Sequence, residues 1–214
     1  MDNNQDELYP SALWTSLEEM DLSTQGEARK PLPPLVPKPI KHVVFDLDDT
    51  IWSINPGHII SSCEPIGTTD KDILVAKVQQ RYYQVDEKGE ATPIVKEATA
   101  EIKLDPTLRA TLDTLKDKGI KMSVASANTK ASALKALDAF GLTKYFDQIE
   151  ANWSQSKADM VKKIAQKDKT PTEEMMFIND AFWNVTEVGE QTGAMAVIAG
   201  YDIANISEIL EYIE

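Results

Sequence analysis

The chain has 214 residues, enough for one α/β domain with a sizeable core and hardly enough for two. Its 22 basic and 35 acidic residues give a formal charge of −13, which argues against generic nucleic-acid binding, a process that runs on phosphate neutralisation by Lys and Arg. No apolar run reaches the length of a membrane span, one cysteine permits no internal disulfide, and two histidines with it leave too little for a nitrogen–sulfur zinc site.

A reducing, cytoplasmic location and a hard, oxygen-bound metal, magnesium first, are therefore the expectations. Residues 1–40 read as an acidic and then proline-dense tail, with Pro31, Pro33, Pro34, Pro37 and Pro39 favouring extended backbone. Within it, Leu13, Trp14, Leu17 and Met20 fall on one side of a possible short helix. A disordered tail is the favoured reading, and a docking helix for an unknown partner is the alternative. The folded domain then occupies residues 41–214.

It opens on the apolar run His42-Val43-Val44-Phe45, read as a strand buried on both faces, which ends in Asp46 and Asp48, followed by Thr50. Carboxylates at the exit of such a strand sit where open α/β sheets bind ligands. An insert follows at residues 53–103, read as a short hairpin flap. Arg81–Val85 and Ala91–Val95 flank a loop containing Gly89, and a helical piece is expected over Ile73–Gln80. Asp105-Pro106 then opens a helix bearing Leu108, Leu112 and Leu115, with Asp105 as its N-cap and Gly119 as its stop. Strands are expected at Ile120–Ala125, near Gln148-Ile149, at Met175–Ile178 and at Ala194–Ile198. Helices are expected at Thr129–Phe140, Lys157–Lys167, Phe182–Gln191 and Ile206–Ile213. Repeated βα units of this kind predict a doubly wound parallel sheet, Rossmann-like, with helices on both faces.

The run Asp46-Leu47-Asp48-Asp49-Thr50 resembles the first motif of the haloacid dehalogenase superfamily, an apolar strand followed by Asp-x-Asp-x-Thr. Three further elements follow in the superfamily's order. Ser126-Ala127-Asn128 leave the second strand, where a hydroxyl and backbone N–H groups can meet a phosphate. Lys157 opens a helix, an unfavourable place for a cation unless an anion lies nearby. Asn179-Asp180 leave the fourth strand, with Asn179 at the place where the common pattern has an acid. Asn184 follows, where the most similar subfamily also tends to carry Asn. With Trp52 directly after the first motif, the chain looks like the magnesium-dependent phosphatases that lack a large cap.

That resemblance implies a phosphomonoesterase. Asp46 would be the nucleophile and Asp48 the general acid and base, while Ser126, Ala127, Asn128 and Lys157 would bind the phosphate. Magnesium would be held by Asp46, the backbone carbonyl of Asp48, and Asp180, with Thr50, Asn179 and Asn184 in support. The substrate would be a phosphorylated small molecule or a phosphoprotein, with no nucleic acid and no membrane as partner. Acyl or glyceryl transfer onto a carrier protein, and a regulatory protein with a relict site, are the competing functions.

Overall fold

A computed structural model describes residues 39–55 and 60–213. The expected tail over 1–40 therefore lies almost wholly outside the described residues. The central sheet has five parallel strands, β1 (His42–Phe45), β6 (Lys121–Ser126), β7 (Gln148–Ala151), β8 (Met175–Asn179) and β9 (Met195–Ile198), in the order β7-β6-β1-β8-β9. All four residues of β1 and all five of β8 are buried. That is why these segments read as unbroken apolar runs.

Alternate residues of the strands feed two cores. Val43 and Phe45 join one with Leu108, Leu112 and Leu115 of α1 (Leu108–Asp117) and Leu137 of α2 (Lys130–Ala139). Val44 joins the other with Met160, Val161 and Ile164 of α3 (Lys157–Asp168) and Val188 of α4 (Phe182–Thr192). Helices thus cover both faces, the doubly wound arrangement expected from the βα alternation. From β1 the chain moves outward through β6 to β7, then returns on the other side of β1 to β8 and β9. Strand order reverses at β1, and such a switch point opens a crevice at the carboxyl ends of its strands.

The insert is larger than a short hairpin. Strands β2 (Trp52–Asn55), β3 (Ile60–Asp70), β4 (Ile73–Val85) and β5 (Ala91–Leu104) form an antiparallel sheet in the order β2-β5-β4-β3. The hairpin around Gly89 is present, with Arg81 paired to Val95 and Val85 to Ala91. The helix expected over Ile73–Gln80 is instead the first part of β4, because Leu74, Ala76 and Val78 alternate and are all buried against the α1/α2 core. Among the described residues no helix is long and apolar enough to cross a membrane.

Two boundaries also shift. Asp105 does not cap α1. Its backbone oxygen takes the Leu108 N–H at 3.1 Å and its carboxylate takes the Thr107 N–H at 2.7 Å, so a turn precedes the helix and Thr107 stands at the N-cap. The last helix, Ile206–Tyr212, is 3-10 rather than α. Gly119 and Gly141, at φ 70° and 67°, provide the left-handed exits from α1 and α2 that the sequence places there.

Candidate active site

The exits of β1, β6 and β8 converge, because these three strands are neighbours and parallel. Asp46, one residue past β1, keeps its backbone in register by donating its N–H to Ile178 O at 2.9 Å. Its carboxylate is buried and held on both oxygens. Lys157 Nζ donates to Oδ1, and Asn179 Nδ2 donates to Oδ2 at 2.7 Å. Lys157 is itself 5% exposed and spends a second donor on Ala125 O at 2.8 Å. The cation at the first position of α3, where Ser156 caps the helix by accepting from the Asp159 N–H, is thus explained by a buried carboxylate partner. Removing one member of such a pair leaves an uncompensated buried charge.

The loop after Asp46 is wound around Leu47, whose backbone oxygen accepts from the N–H groups of Thr50, Ile51 and Trp52 at 3.3, 2.9 and 3.4 Å. Asp49, exposed at the outside of the turn, adopts φ 54°, a left-handed conformation that Asp tolerates better than most residues. Thr50 Oγ1 accepts the Asp180 N–H at 3.1 Å, tying this loop to the exit of β8. Asp48 is held by two neutral donors, Trp52 Nε1 at 2.7 Å on Oδ1 and Asn128 Nδ2 at 3.0 Å on Oδ2. Burial pushes its carboxyl up to about 7 despite those donors, and the neighbouring charges of Asp46 and Asp49 add to the rise.

Ser126 is buried, and its Oγ accepts the Asn128 N–H at 3.2 Å. Ala127 is exposed between them. Asn128 was expected at the phosphate; its side chain is engaged with Asp48, and its Oδ1 is buried without a hydrogen-bond partner. Asn179 is fully buried, and its Oδ1 accepts from Ala181 N–H at 2.8 Å and from Asn184 Nδ2 at 3.1 Å. The residues proposed from sequence fall into three hydrogen-bonded groups at these strand exits: Lys157, Asp46, Asn179 and Asn184; Asp48, Asn128 and Ser126; and Thr50 with the Asp180 N–H. Trp52, directly after the first motif, is a wall of the core at 2% exposure, packed 5.9 Å from Phe140, with its N–H spent on Asp48. An indole N–H needs a partner when buried, which is the one signal in the sequence that could have placed it there.

Asp180 lies one residue past β8 and is exposed as a residue, but partial desolvation of its carboxyl, followed by the charges of Asp46 and Asp49, pushes it up to about 6. Acids crowded enough to raise one another's proton affinity are a place where a divalent cation relieves repulsion. Among the described residues no three Asp, Glu, His or Cys side chains are gathered for a metal. An ion here would take two carboxylates and complete its shell with backbone oxygen and water, a donor set that suits magnesium and not zinc.

Exposed aromatics stand at the same edge of the sheet. Trp153 follows β7, Phe182 and Trp183 follow β8, and Tyr201 follows β9, with exposures of 64%, 58%, 73% and 81%. A cleft of about 390 Å³ adjoins the acidic loop, lined by Asp49, Thr50, Trp52, Lys103, Asp105 and Asn205 among others, without Asp46 or Lys157 in its walls.

Residues 38–202 match the model of the family described as Acid Phosphatase. A search of curated proteins gave no match. Similar solved structures include a haloacid dehalogenase superfamily hydrolase of subfamily IA from Geobacter sulfurreducens PCA, at 18% identity and TM-score 0.45 over 53% of this chain and 57% of that one. The N-terminal part of a Bacteroides fragilis protein, containing a phosphatase domain complexed with Mg, is similar at 19% identity and TM-score 0.47, over 82% of this chain and 39% of that one. CbbY from Rhodobacter sphaeroides in complex with phosphate is similar at 21% identity and TM-score 0.41, over 48% and 49%. The chain thus spans little more than half the length of the first of these. With the family match running over the whole central sheet, and with the four motifs of a haloacid dehalogenase superfamily phosphatase, three at strand ends and Lys157 at a helix start, the chain belongs to the acid phosphatase family.

Proposed function

We propose that this protein is a magnesium-dependent phosphomonoesterase that works through an aspartyl-phosphate intermediate. The observation that carries the reading is the buried Asp46 carboxylate, held by Lys157 at the switch point of the sheet beside an acid whose proton affinity lies near neutrality. Asp46 attacks phosphorus, and covalent catalysis divides a very slow hydrolysis into two easier displacements. Asp48, at about 7, is protonated in part of the population at neutral pH, so it can give a proton to the leaving alcohol and later take one from water. Trp52 and Asn128 fix both of its oxygens and so aim that proton. Lys157 can turn one of its three donors from Asp46 to a transferring oxygen, and the Ser126 hydroxyl and the backbone N–H of Ala127 stand at the mouth of β6 to bind the others. Asp46, Asp180 and the Asp48 carbonyl would hold magnesium, which when bound offsets the repulsion between an anionic nucleophile and an anionic substrate. The aromatic residues along the sheet edge support a substrate larger than the phosphoryl group alone, either a phosphorylated small molecule or a phosphoprotein.

Asp46→Asn tests the reading. With magnesium and p-nitrophenyl phosphate, turnover should fall by about 10³-fold or more, because an amide cannot serve as nucleophile, while the unpaired Lys157 charge lowers the melting temperature and a cooperative thermal transition shows that the fold survives. Substantial activity in that purified variant, contamination excluded, would sink the covalent mechanism.

A further inference from the structure

The two oxygens of Asp46 are not equivalent. Oδ2 is held by an amide whose orientation is fixed from outside, since Asn179 Oδ1 already accepts from the Ala181 N–H and from Asn184 Nδ2. Turning the amide over would set its nitrogen against two donors and its oxygen against a carboxylate, so only one orientation is compatible with its neighbours. Asn179 is fully buried, and its donor cannot follow an incoming group. Oδ1 is held by Lys157, an ammonium with rotatable donors on a flexible stem, which can swing to a phosphoryl oxygen without leaving the site.

We propose that Asp46 attacks through Oδ1, and that Asn179 is a further catalytic residue that stays on Oδ2 and accelerates hydrolysis of the phosphoenzyme, with Asn184 as its positioning residue. The proposal rests on the covalent reading above. In the first displacement the Oδ1–P bond forms, the ester P–O bond breaks, and the leaving oxygen takes the Asp48 proton. Oδ2 is then a neutral acyl carbonyl, a weaker acceptor than the carboxylate it was, so the Asn179 bond weakens. In the second displacement a water oxygen bonds to phosphorus, its proton goes to Asp48, and the Oδ1–P bond breaks with its electron pair returning to Asp46. Negative charge spreads onto Oδ2 as that bond breaks, where a preorganised donor already points. Asn179 therefore speeds the second step and holds back the first, which starts from the charged carboxylate.

Rapid-quench measurements with p-nitrophenyl [32P]phosphate and magnesium separate the two steps through the hydroxylamine-labile label on the protein. In Asn179→Ala the breakdown of labelled enzyme should slow by about 10- to 100-fold, the range for one hydrogen bond to a charged group, and label should accumulate. Asn184→Ala should shift the same step in the same direction by less, and the double variant should resemble Asn179→Ala rather than multiply the two losses. Should Asn179→Ala fail to fold, Asn184→Ala with the same readout carries the test. Slower formation with unchanged breakdown, or fully multiplicative losses, would overturn the proposal with the covalent mechanism intact. Absence of label in every variant and in the wild type, with turnover retained, would remove the covalent reading and the proposal with it.

Discussion

Asn179 stands 2.7 Å from Asp46 Oδ2 with no solvent exposure, so a change of its charge acts directly on Asp46. The sequence shows that an amide occupies a place where an acid is common, and from charge counting alone Asn179→Asp should simply tighten magnesium binding. The geometry adds a cost. The Ala181 and Asn184 donors would keep one oxygen of the new carboxylate, and the other would face Asp46 across a buried contact. Two carboxylates at such a distance do not both stay ionised without a cation between them. Asn179→Asp should therefore melt at lower temperature than wild type in EDTA at pH 8, and recover more of its melting temperature than wild type does on titration with magnesium. Thermal shift across a magnesium series reads both, and equal magnesium responses in the two proteins would show that position 179 does not communicate with the ion. Trp52 teaches the same lesson about legibility. A motif locates a residue on the chain, but whether an indole N–H points to an acid or into solvent depends on a turn wound around Leu47.

At the scale of elements, the parallel sheet was legible because β1, β6 and β8 each carry a mostly apolar, buried stretch and each exit carries polar residues. The insert was less so. Ile73 to Gln80 contains enough apolar residues to fit a helix, and only the period-two spacing of Leu74, Ala76 and Val78 marks it as strand; its partners Ala100 and Ile102 lie far along the chain. What anchors this sheet was invisible in sequence. Arg109 of α1 donates to Asp72 Oδ1 at 2.5 Å and Lys71 O at 2.7 Å, in the β3–β4 turn, and to Phe140 O at 3.0 Å at the end of α2. One guanidinium fork thus ties an inserted hairpin to two core helices. Because Arg109 and Asp72 are both partly exposed, the whole set is worth only about 1 kcal/mol after solvent screening. Arg109→Ala should lower the melting temperature by a few degrees and make the 71–72 turn the earliest site of limited proteolysis. A cleavage pattern identical to wild type would mean that the apolar face of the insert holds it without the arginine.

At the scale of the molecule, ionisable groups buried at opposite ends of β1 make stability depend on pH in opposite senses. His42 opens the strand, is fully buried, and shares a hydrogen bond of 2.9 Å with Ser123 Oγ. Asp168 Oδ2 lies 3.4 Å from its Nδ1. Burial lowers its pKa to about 4, outweighing the pull of Asp168 and Asp147, with Lys121 adding to the fall. An unfolded histidine takes its proton near 6.5, so between there and about 4 the unfolded chain binds more protons than the folded one. The contribution of His42 is complete above pH 6.5 and is lost as pH falls towards 4, at about 1.4 kcal/mol per pH unit and about 3 kcal/mol in all. Asp48 and Asp180 run the other way. Their raised values mean that the folded state binds the extra proton, so their burden grows as pH rises above about 3.8 and is complete by about 6 for Asp180 and about 7 for Asp48. The wild-type profile mixes the two, and the difference between wild type and His42→Gln isolates the histidine, because the acids are common to both. Urea unfolding at half-unit steps should show the wild type's advantage over His42→Gln shrinking steadily from pH 6.5 to 4.5 and flat above 7. An advantage that is flat below pH 6.5 and falls as pH rises above it would mean that Asp168 holds the proton on His42 in the folded protein, making the pair an ion pair at the base of the sheet.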